Sequence, residues 1–528
     1  MGFFLGQIQN IWLLILLASV PQVCFTYWTI PLWHWLHFPC PDRFAIAYFY
    51  AVRRKQKNIV LQNVTVEAYA AEGKSLARLD GKVIFIEKVV PGDVVDVQLT
   101  KSKKDWGEGH PVKFHSYSKE RVTPFCQHFG VCGGCQWQML PYGKQLEFKQ
   151  QQVQDNLQRI GKVALPEFLP IAGAKETRFY RNKLEYTFST KEFTPGKPSL
   201  TGESAADPAP GAVGFHARGF FDKVVAVEKC WLQEDLTNQI RNSIRDYARQ
   251  QGLTFYDIRN HTGLLRTMQV RLCTTGETMV NIVLGEDGGE ARIALLGYVK
   301  NTFPQITTLL YTINLKWNDS MHDLEPQVFS GKGYVVEQLE DFRFKIGPKS
   351  FFQTNTKQGE RLYQITREFA ELDGTQVLYD LYCGTGSIGI FCSRGAKKII
   401  GVEMIEAAIE DAKENATLNN IEHAFFTAGD VINVCDDAFF QAHGKPDVLI
   451  TDPPRAGMHE KLVQKILEME APTVVYVSCN PSTQARDLAL LDAKYAVTKV
   501  QPVDMFPHTH HIENVVQLKL KKDIHEQL

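Results

Sequence analysis

Residues 377–389, VLYDLYCGTGSIG, pass from an apolar run into a glycine-rich turn, and their reading decides the C-terminal half of the chain. Val377–Leu381 has the composition of a buried strand. Gly384, Gly386 and Gly389 let the backbone turn tightly and approach a ligand, and the next helix presents its N-terminus to the same point. Strand-like runs recur at Lys398–Glu403, Ala424–Ala428, Asp447–Asp452 and Thr473–Ser478, with helix-like segments between them. This alternation predicts an α/β domain on a parallel, doubly wound, Rossmann-like sheet over residues 341–528. Ligands of such sheets sit at the carboxyl ends of the strands.

The chemistry-bearing residues fall at those ends. Glu403 closes the second run and is placed to accept hydrogen bonds from both hydroxyls of a ribose. That much fits a dinucleotide as well as a nucleoside methyl donor. The fourth run ends in Asp452-Pro453-Pro454-Arg455, a rigid wall suited to holding a flat base beside a methyl donor. Asp430, after the third run, can reach an adenine amino group or can cap a helix. The fifth run ends in Ser478-Cys479-Asn480-Pro481. A thiolate at Cys479 can add to C6 of uracil and turn C5 into an enolate carbon able to attack a methylsulfonium. Removing H5 afterwards needs a base. The segment Asp504-Met-Phe-Pro-His-Thr-His-His-Ile-Glu513 offers carboxylates and imidazoles for it.

The 11 cysteines are an odd number in a long chain, which argues against a secreted disulfide framework. Cys126, Cys132 and Cys135 cluster around a Gly-Gly turn, and Cys230 is the best candidate for a fourth ligand. Four thiolates suit an iron–sulfur cluster, with zinc as the rival. Cys273, Cys392 and Cys435 read as buried structural residues.

Upstream, short runs at Val64–Ala68, Lys82–Ile86, Val94–Leu99 and Pro111–Tyr117 are separated by turn signals, which predicts a small closed β-barrel of OB type over 52–118. Basic side chains outnumber acidic ones there, although the whole chain carries a net charge of -1. Residues 119–340 read as a central α+β domain, with a polar helix at Lys144–Ile160 and a loop at Thr194–Val213. Residues 1–41 contain no Asp, Glu, Lys or Arg and lack the basic region of a signal peptide. Residues 1–51 could be a membrane-associated hairpin, a poor signal or an upstream extension of the reading frame. We take the third, with translation starting near Val52.

Together these motifs resemble the RNA 5-methyluridine methyltransferase family, in particular its 23S rRNA (uracil-5-)-methyltransferase branch. The resemblance spans about residues 55–520 and adds Phe351-Phe352-Gln353-Thr354-Asn355 to the set. It implies a class I methyltransferase domain, a TRAM domain for the barrel and a [4Fe–4S] cluster on Cys126, Cys132, Cys135 and Cys230. It also implies S-adenosylmethionine contacts from Gln353, Tyr382, Ser387, Glu403, Asp430 and Asp452, with Cys479 as nucleophile and Glu513 as base. Relatives acting on tRNA look shorter, without barrel or cluster, so 23S ribosomal RNA is the expected substrate. The protein would be a cytoplasmic monomer with no protein partner. The competing classes are a tRNA uridine methyltransferase, an iron–sulfur dinucleotide oxidoreductase, a non-catalytic RNA-binding protein and an exocyclic-amine methyltransferase.

Overall fold

The computed structural model describes residues 59–194 and 211–521. The N-terminal extension lies outside them, as does most of the Thr194–Val213 loop. Among the described residues, no helix is long and apolar enough to cross a membrane.

The first sheet has six strands in the order Val60–Thr65, Val94–Ser102, Trp106–Ser116, Lys82–Ile86, Ser75–Leu79, Ala68–Tyr69. Val64, Ala77, Ile84, Ile86, Val95 and Val97 share one apolar cluster, so the sheet curls until strands near its two ends face a common core. The expected closure needs correcting. Val60–Thr65 and Ala68–Tyr69 are the two ends of the hydrogen-bonded order and do not pair with each other.

Residues 183–330 form a seven-stranded sheet in the order Gln327–Ser330, Thr308–Ile313, Thr278–Leu284, Leu265–Leu272, Lys183–Ser189, Ala212–His216, Val224–Ala226. Helices Asp235–Gln250 and Gly289–Thr302 cover one face. Their Ile240, Ile244, Leu295 and Val299 pack on Leu184, Tyr186, Met268, Val270 and Ile282 from alternate strand positions. The polar helix forms over Tyr142–Asn156 and finishes in a widened turn, Leu157–Gly161.

The C-terminal sheet runs Ala424–Ala428, Lys398–Glu403, Val377–Leu381, Val448–Thr451, Thr473–Ser478, Glu513–Leu520, Tyr495–Val503. The first five strands are parallel. The last two are antiparallel additions. Successive residues alternate between two apolar clusters: Leu378, Ile399, Val475 and Val515 enter one, Tyr379, Ile400, Val474 and Val516 the other. Burial on both faces explains why these strands read as continuous apolar runs. The hairpin Val335–Leu339/Phe342–Ile346 sends Val335, Leu339, Phe344 and Ile346 into the first of these clusters. The boundary read from the sequence, between 340 and 341, falls in its turn.

Candidate active site

Chain order reverses between Val377–Leu381 and Val448–Thr451, and such a reversal opens a crevice at the carboxyl ends of the strands. The register fixes what lines it. Leu381 pairs with both Val402 and Thr451, and Thr451 pairs with Tyr476. Tyr382, Glu403, Asp452 and Cys479 therefore leave the sheet along one edge. Ser478 pairs with Asn514, so one step further Cys479 stands opposite Glu513, which begins the antiparallel neighbour. The Glu513 charge is felt at the Cys479 thiol.

The glycine loop is held open by carboxylates. Tyr382 takes a left-handed backbone (φ 61°), and Gly386 (φ 75°) caps the short helix Ser387–Phe391. Buried Asp380 accepts from the Gly389 amide at 2.8 Å. Glu403 accepts from Gly384 N at 3.3 Å and Ile405 N at 3.0 Å. Ser387 Oγ lies 2.9 Å from the Tyr363 hydroxyl. Gln353 is buried just before helix Thr356–Ala370, with its carbonyl accepting from Asn182 at 2.8 Å. Asp430 caps Val431–Val434, its Oδ1 accepting from Ile432 N at 3.0 Å.

Three buried carboxyls line this crevice, Asp380, Asp452 and Glu513. Burial pushes the Asp452 carboxyl up to about 7. Burial does the same to Asp380, with Asp452 and Glu403 adding to the shift. Glu513 is raised well above the carboxylate range by burial and then by Asp452, against the pull of Arg455. Ionising three such groups side by side opposes folding as pH rises, and a bound cation offsets that cost. A methylsulfonium is such a cation.

Cys479 is half-buried. Burial, then the charges of Glu513 and Asp452, raise its thiol to about 11, while Arg455 acts in the opposite sense. Its loop is tied to the Asp452 loop. Asn480 Nδ2 donates to the Arg455 carbonyl at 3.0 Å, and Asn480 Oδ1 accepts from Ser482 N at 3.1 Å, capping Pro481–Leu491. Beneath them Asp487 accepts from Met458 N at 2.8 Å and the Tyr476 hydroxyl at 2.7 Å. Sequence reading missed Asn480 and Asp487. The Asn-Pro pair was a usable signal, because Asn is a favoured N-cap and Pro a favoured first helical residue.

Residues 60–112 match the TRAM domain model, and residues 325–521 match the model described as tRNA (Uracil-5-)-methyltransferase. A Bacteroides thetaiotaomicron protein named as an uncharacterized RNA methyltransferase is 53% identical over 459 residues, 86% of this chain and 100% of the relative. The chain belongs to the RNA (uracil-5-)-methyltransferase family. A Porphyromonas gingivalis relative with the same name is 49% identical over 85% of this chain and 98% of its own. Among solved structures, the Pyrococcus abyssi tRNA (uracil-54, C5)-methyltransferase in complex with S-adenosyl-L-homocysteine aligns with a TM-score of 0.66. It is 26% identical and covers 87% of this chain and 100% of its own. The expectation that tRNA enzymes are shorter needs correcting. A relative that acts on tRNA spans most of this chain, so length does not separate tRNA from ribosomal RNA targets. The enzyme is an S-adenosylmethionine-dependent RNA methyltransferase with a TRAM domain.

In this methyltransferase the segment before Glu513 is pinned from the central domain. Lys149 and Asp504 form a fully buried ion pair at 2.5 Å. Tyr142 donates to the same carboxylate at 2.8 Å. Gln145 Oε1 accepts from His508 N at 2.8 Å, and its Nε2 lies 3.1 Å from His508 Nδ1. The amides of Gln136 and Trp137 donate to the His508 carbonyl at 2.8 and 3.0 Å. Burial holds His508 and His511 down to about 4. Asp504 is thus committed to Lys149 and His508 to Gln145, while Glu513 stands opposite Cys479.

The cysteine segment adjoins this region, since Gln136 follows Cys135. Cys126, Cys132 and Cys135 are half-buried and Cys230 is buried. Burial raises Cys132 to about 11 and Cys135 to about 12, and each is raised further by the charges of the other thiols, Cys230 first among them. The Cys230 and Cys126 charges are felt at both Cys132 and Cys135. Among the described residues, no group of three or more His, Cys, Asp or Glu is arranged to hold a metal ion.

Proposed function

We propose that this enzyme methylates C5 of a uridine in RNA through a covalent Cys479–C6 adduct, with Glu513 as the base that releases it. The observation that carries this reading is the strand register that sets Cys479 opposite Glu513, beside Asp452, at the methyl-donor crevice. The Cys479 thiolate adds to C6 and the electron pair moves onto the C5–C4–O4 enolate. S-Adenosylmethionine, when bound, supplies the electrophilic methyl group that C5 attacks. Gln353, Tyr382, Ser387, Glu403, Asp430 and Asp452 would hold it. Glu513 then takes H5, the C5–C6 double bond re-forms, and the sulfur leaves. A carboxylate whose pKa is raised is a better base for this step.

The test uses [5-3H]uridine-labelled RNA. Tritium should appear in water in step with methyl incorporation, and methylation without release would overturn the C5 assignment. The thiol near 11 sets the pH dependence. The thiolate fraction grows about tenfold per pH unit below the thiol pKa. The rate at subsaturating RNA should therefore climb from pH 6 to 9, and a flat profile counts against thiolate attack.

The substrate expected from the domain content is 23S ribosomal RNA, met in the cytoplasm. The tRNA reading is favoured by one observation, the alignment over 100% of a tRNA enzyme. Mass mapping of 5-methyluridine in both RNAs from cells lacking the gene decides between them. Cys126, Cys132, Cys135 and Cys230 hold a [4Fe–4S] cluster in this reading. Anaerobically purified protein should contain about four irons and four sulfides per chain, and colourless, iron-free protein would sink the cluster.

A further inference from the structure

Phe125, Phe179 and Trp231 meet at the surface of the central domain, on chain that flanks two of the clustered cysteines. Phe125 precedes Cys126, and Lys229 and Trp231 stand on either side of Cys230. The Trp231 ring centre is 6.0 Å from that of Phe125 and 5.6 Å from that of Phe179. Two backbone bonds fix the arrangement. Phe179 N donates to the Trp231 carbonyl and Arg181 N to the Leu232 carbonyl, each at 2.8 Å. Phe179 is 39% exposed, and Phe125 and Trp231 are only half-buried. The Phe179 backbone is left-handed (φ 56°), a state that bulky side chains rarely adopt and that carries strain. Packing does little to offset that strain, because the side chain is not enclosed.

Two cations lie against the rings. The Arg178 guanidinium carbon is 4.0 Å from the Phe125 ring centre and 5.4 Å from that of Trp231. Lys229 Nζ is 4.4 Å from the Trp231 ring centre. Both residues are exposed. Arg178 forms no ion pair among the described residues. The neighbouring acids are engaged elsewhere. Glu228 pairs with Arg245 at 2.6 Å, and Asp235 accepts from Asn238 at 3.1 Å while standing 3.7 Å from Lys229. A guanidinium within stacking distance of one ring can offer its opposite plane to a second flat, electron-rich group. Unpaired nucleobases are such groups, and proteins hold them by stacking on aromatic rings and on arginine planes.

The group is joined to the segment that leads to Glu513. The Phe125 ring centre lies 5.1 Å from that of His508, and the Arg178 charge is felt at His508. Tyr180 donates to the Pro507 carbonyl at 3.0 Å. We propose that Phe125, Arg178, Phe179 and Trp231 form a stacking platform for an unpaired base of the RNA beside the target nucleotide, with Lys229 facing the adjoining phosphate. This rests on RNA being the substrate and not on which atom of the base is methylated.

The test is binding of fluorescein-labelled single-stranded RNA of mixed sequence over a salt series, with Phe179→Gly and Arg178→Lys. Glycine takes the left-handed backbone without strain, so the first variant should keep its fold. It should bind about tenfold more weakly, the scale of losing one stacked base. Lysine keeps the charge of Arg178 and lacks its plane. The second variant should therefore also bind about tenfold more weakly. In both, the slope of log K against log salt should stay unchanged, because no phosphate contact is removed. The affinity for S-adenosylhomocysteine should not change either. Unaltered RNA affinity in Arg178→Lys would overturn the platform, because charge alone would then suffice at that position. Unaltered affinity in Phe179→Gly would overturn it too, as would loss of S-adenosylhomocysteine binding in place of RNA binding. A fall in the Tm of Phe179→Gly would mark the ring as a structural tie, and Arg178→Lys, a change at an exposed residue, then decides. If RNA is not the substrate at all, the unaltered protein shows no salt-sensitive binding, a result distinct from any of these.

Discussion

Cys479→Ala should abolish methyl transfer, with turnover falling by at least about 10⁴-fold, the scale on which removing a covalent nucleophile acts. The charged side chains that act on this point are the acids Asp452 and Glu513 and the cation Arg455, and none of them can take the place of the sulfur. Binding of S-adenosylhomocysteine should survive, since Glu403 and Asp380 engage the glycine loop independently of Cys479. RNA carrying 5-fluorouridine gives a second readout. Fluorine at C5 cannot be removed as a proton, so the adduct to unaltered enzyme should resist denaturing gels, whereas the alanine variant should give none. A variant that still methylates C5 at a measurable rate would refute covalent catalysis here.

Glu513→Gln should have the opposite signature. The adduct forms and the methyl group is transferred once, but H5 stays in place and the RNA remains attached. Steady-state turnover should fall by about 10²–10⁴-fold, the range for loss of a positioned base. Attachment itself should not slow. Wherever Glu513 is ionised its charge raises the Cys479 thiol, so its neutral replacement lowers that pKa over that pH range. Single-turnover attachment should therefore peak at lower pH than in the unaltered enzyme. Normal release by the glutamine variant would transfer the base role to another group.

The two outcomes separate what the sequence made legible from what it hid. The strand ends of the C-terminal sheet were readable because doubly buried strands are continuous apolar runs, and Cys479 and Asp452 could be located from them. Glu513 could not be chosen over the histidines from the residues alone. Its claim rests on an antiparallel register between segments far apart in sequence and on the commitment of Asp504 and His508 to Lys149 and Gln145. Neither leaves a local pattern. The antiparallel strand Tyr495–Val503 escaped because it lies at the sheet edge and mixes Thr498, Lys499 and Gln501 with its apolar residues. Barrel strand ends shifted by several residues where the register slips, as between Leu61 and Val64.

The pairing of Ser478 with Asn514 acts as a ruler. The gap between sulfur and carboxylate is anchored by the hydrogen-bond spacing of two strands, one residue beyond their last pair. Attack at one carbon and deprotonation at its neighbour need a fixed offset, and a ladder supplies that offset whatever RNA is presented.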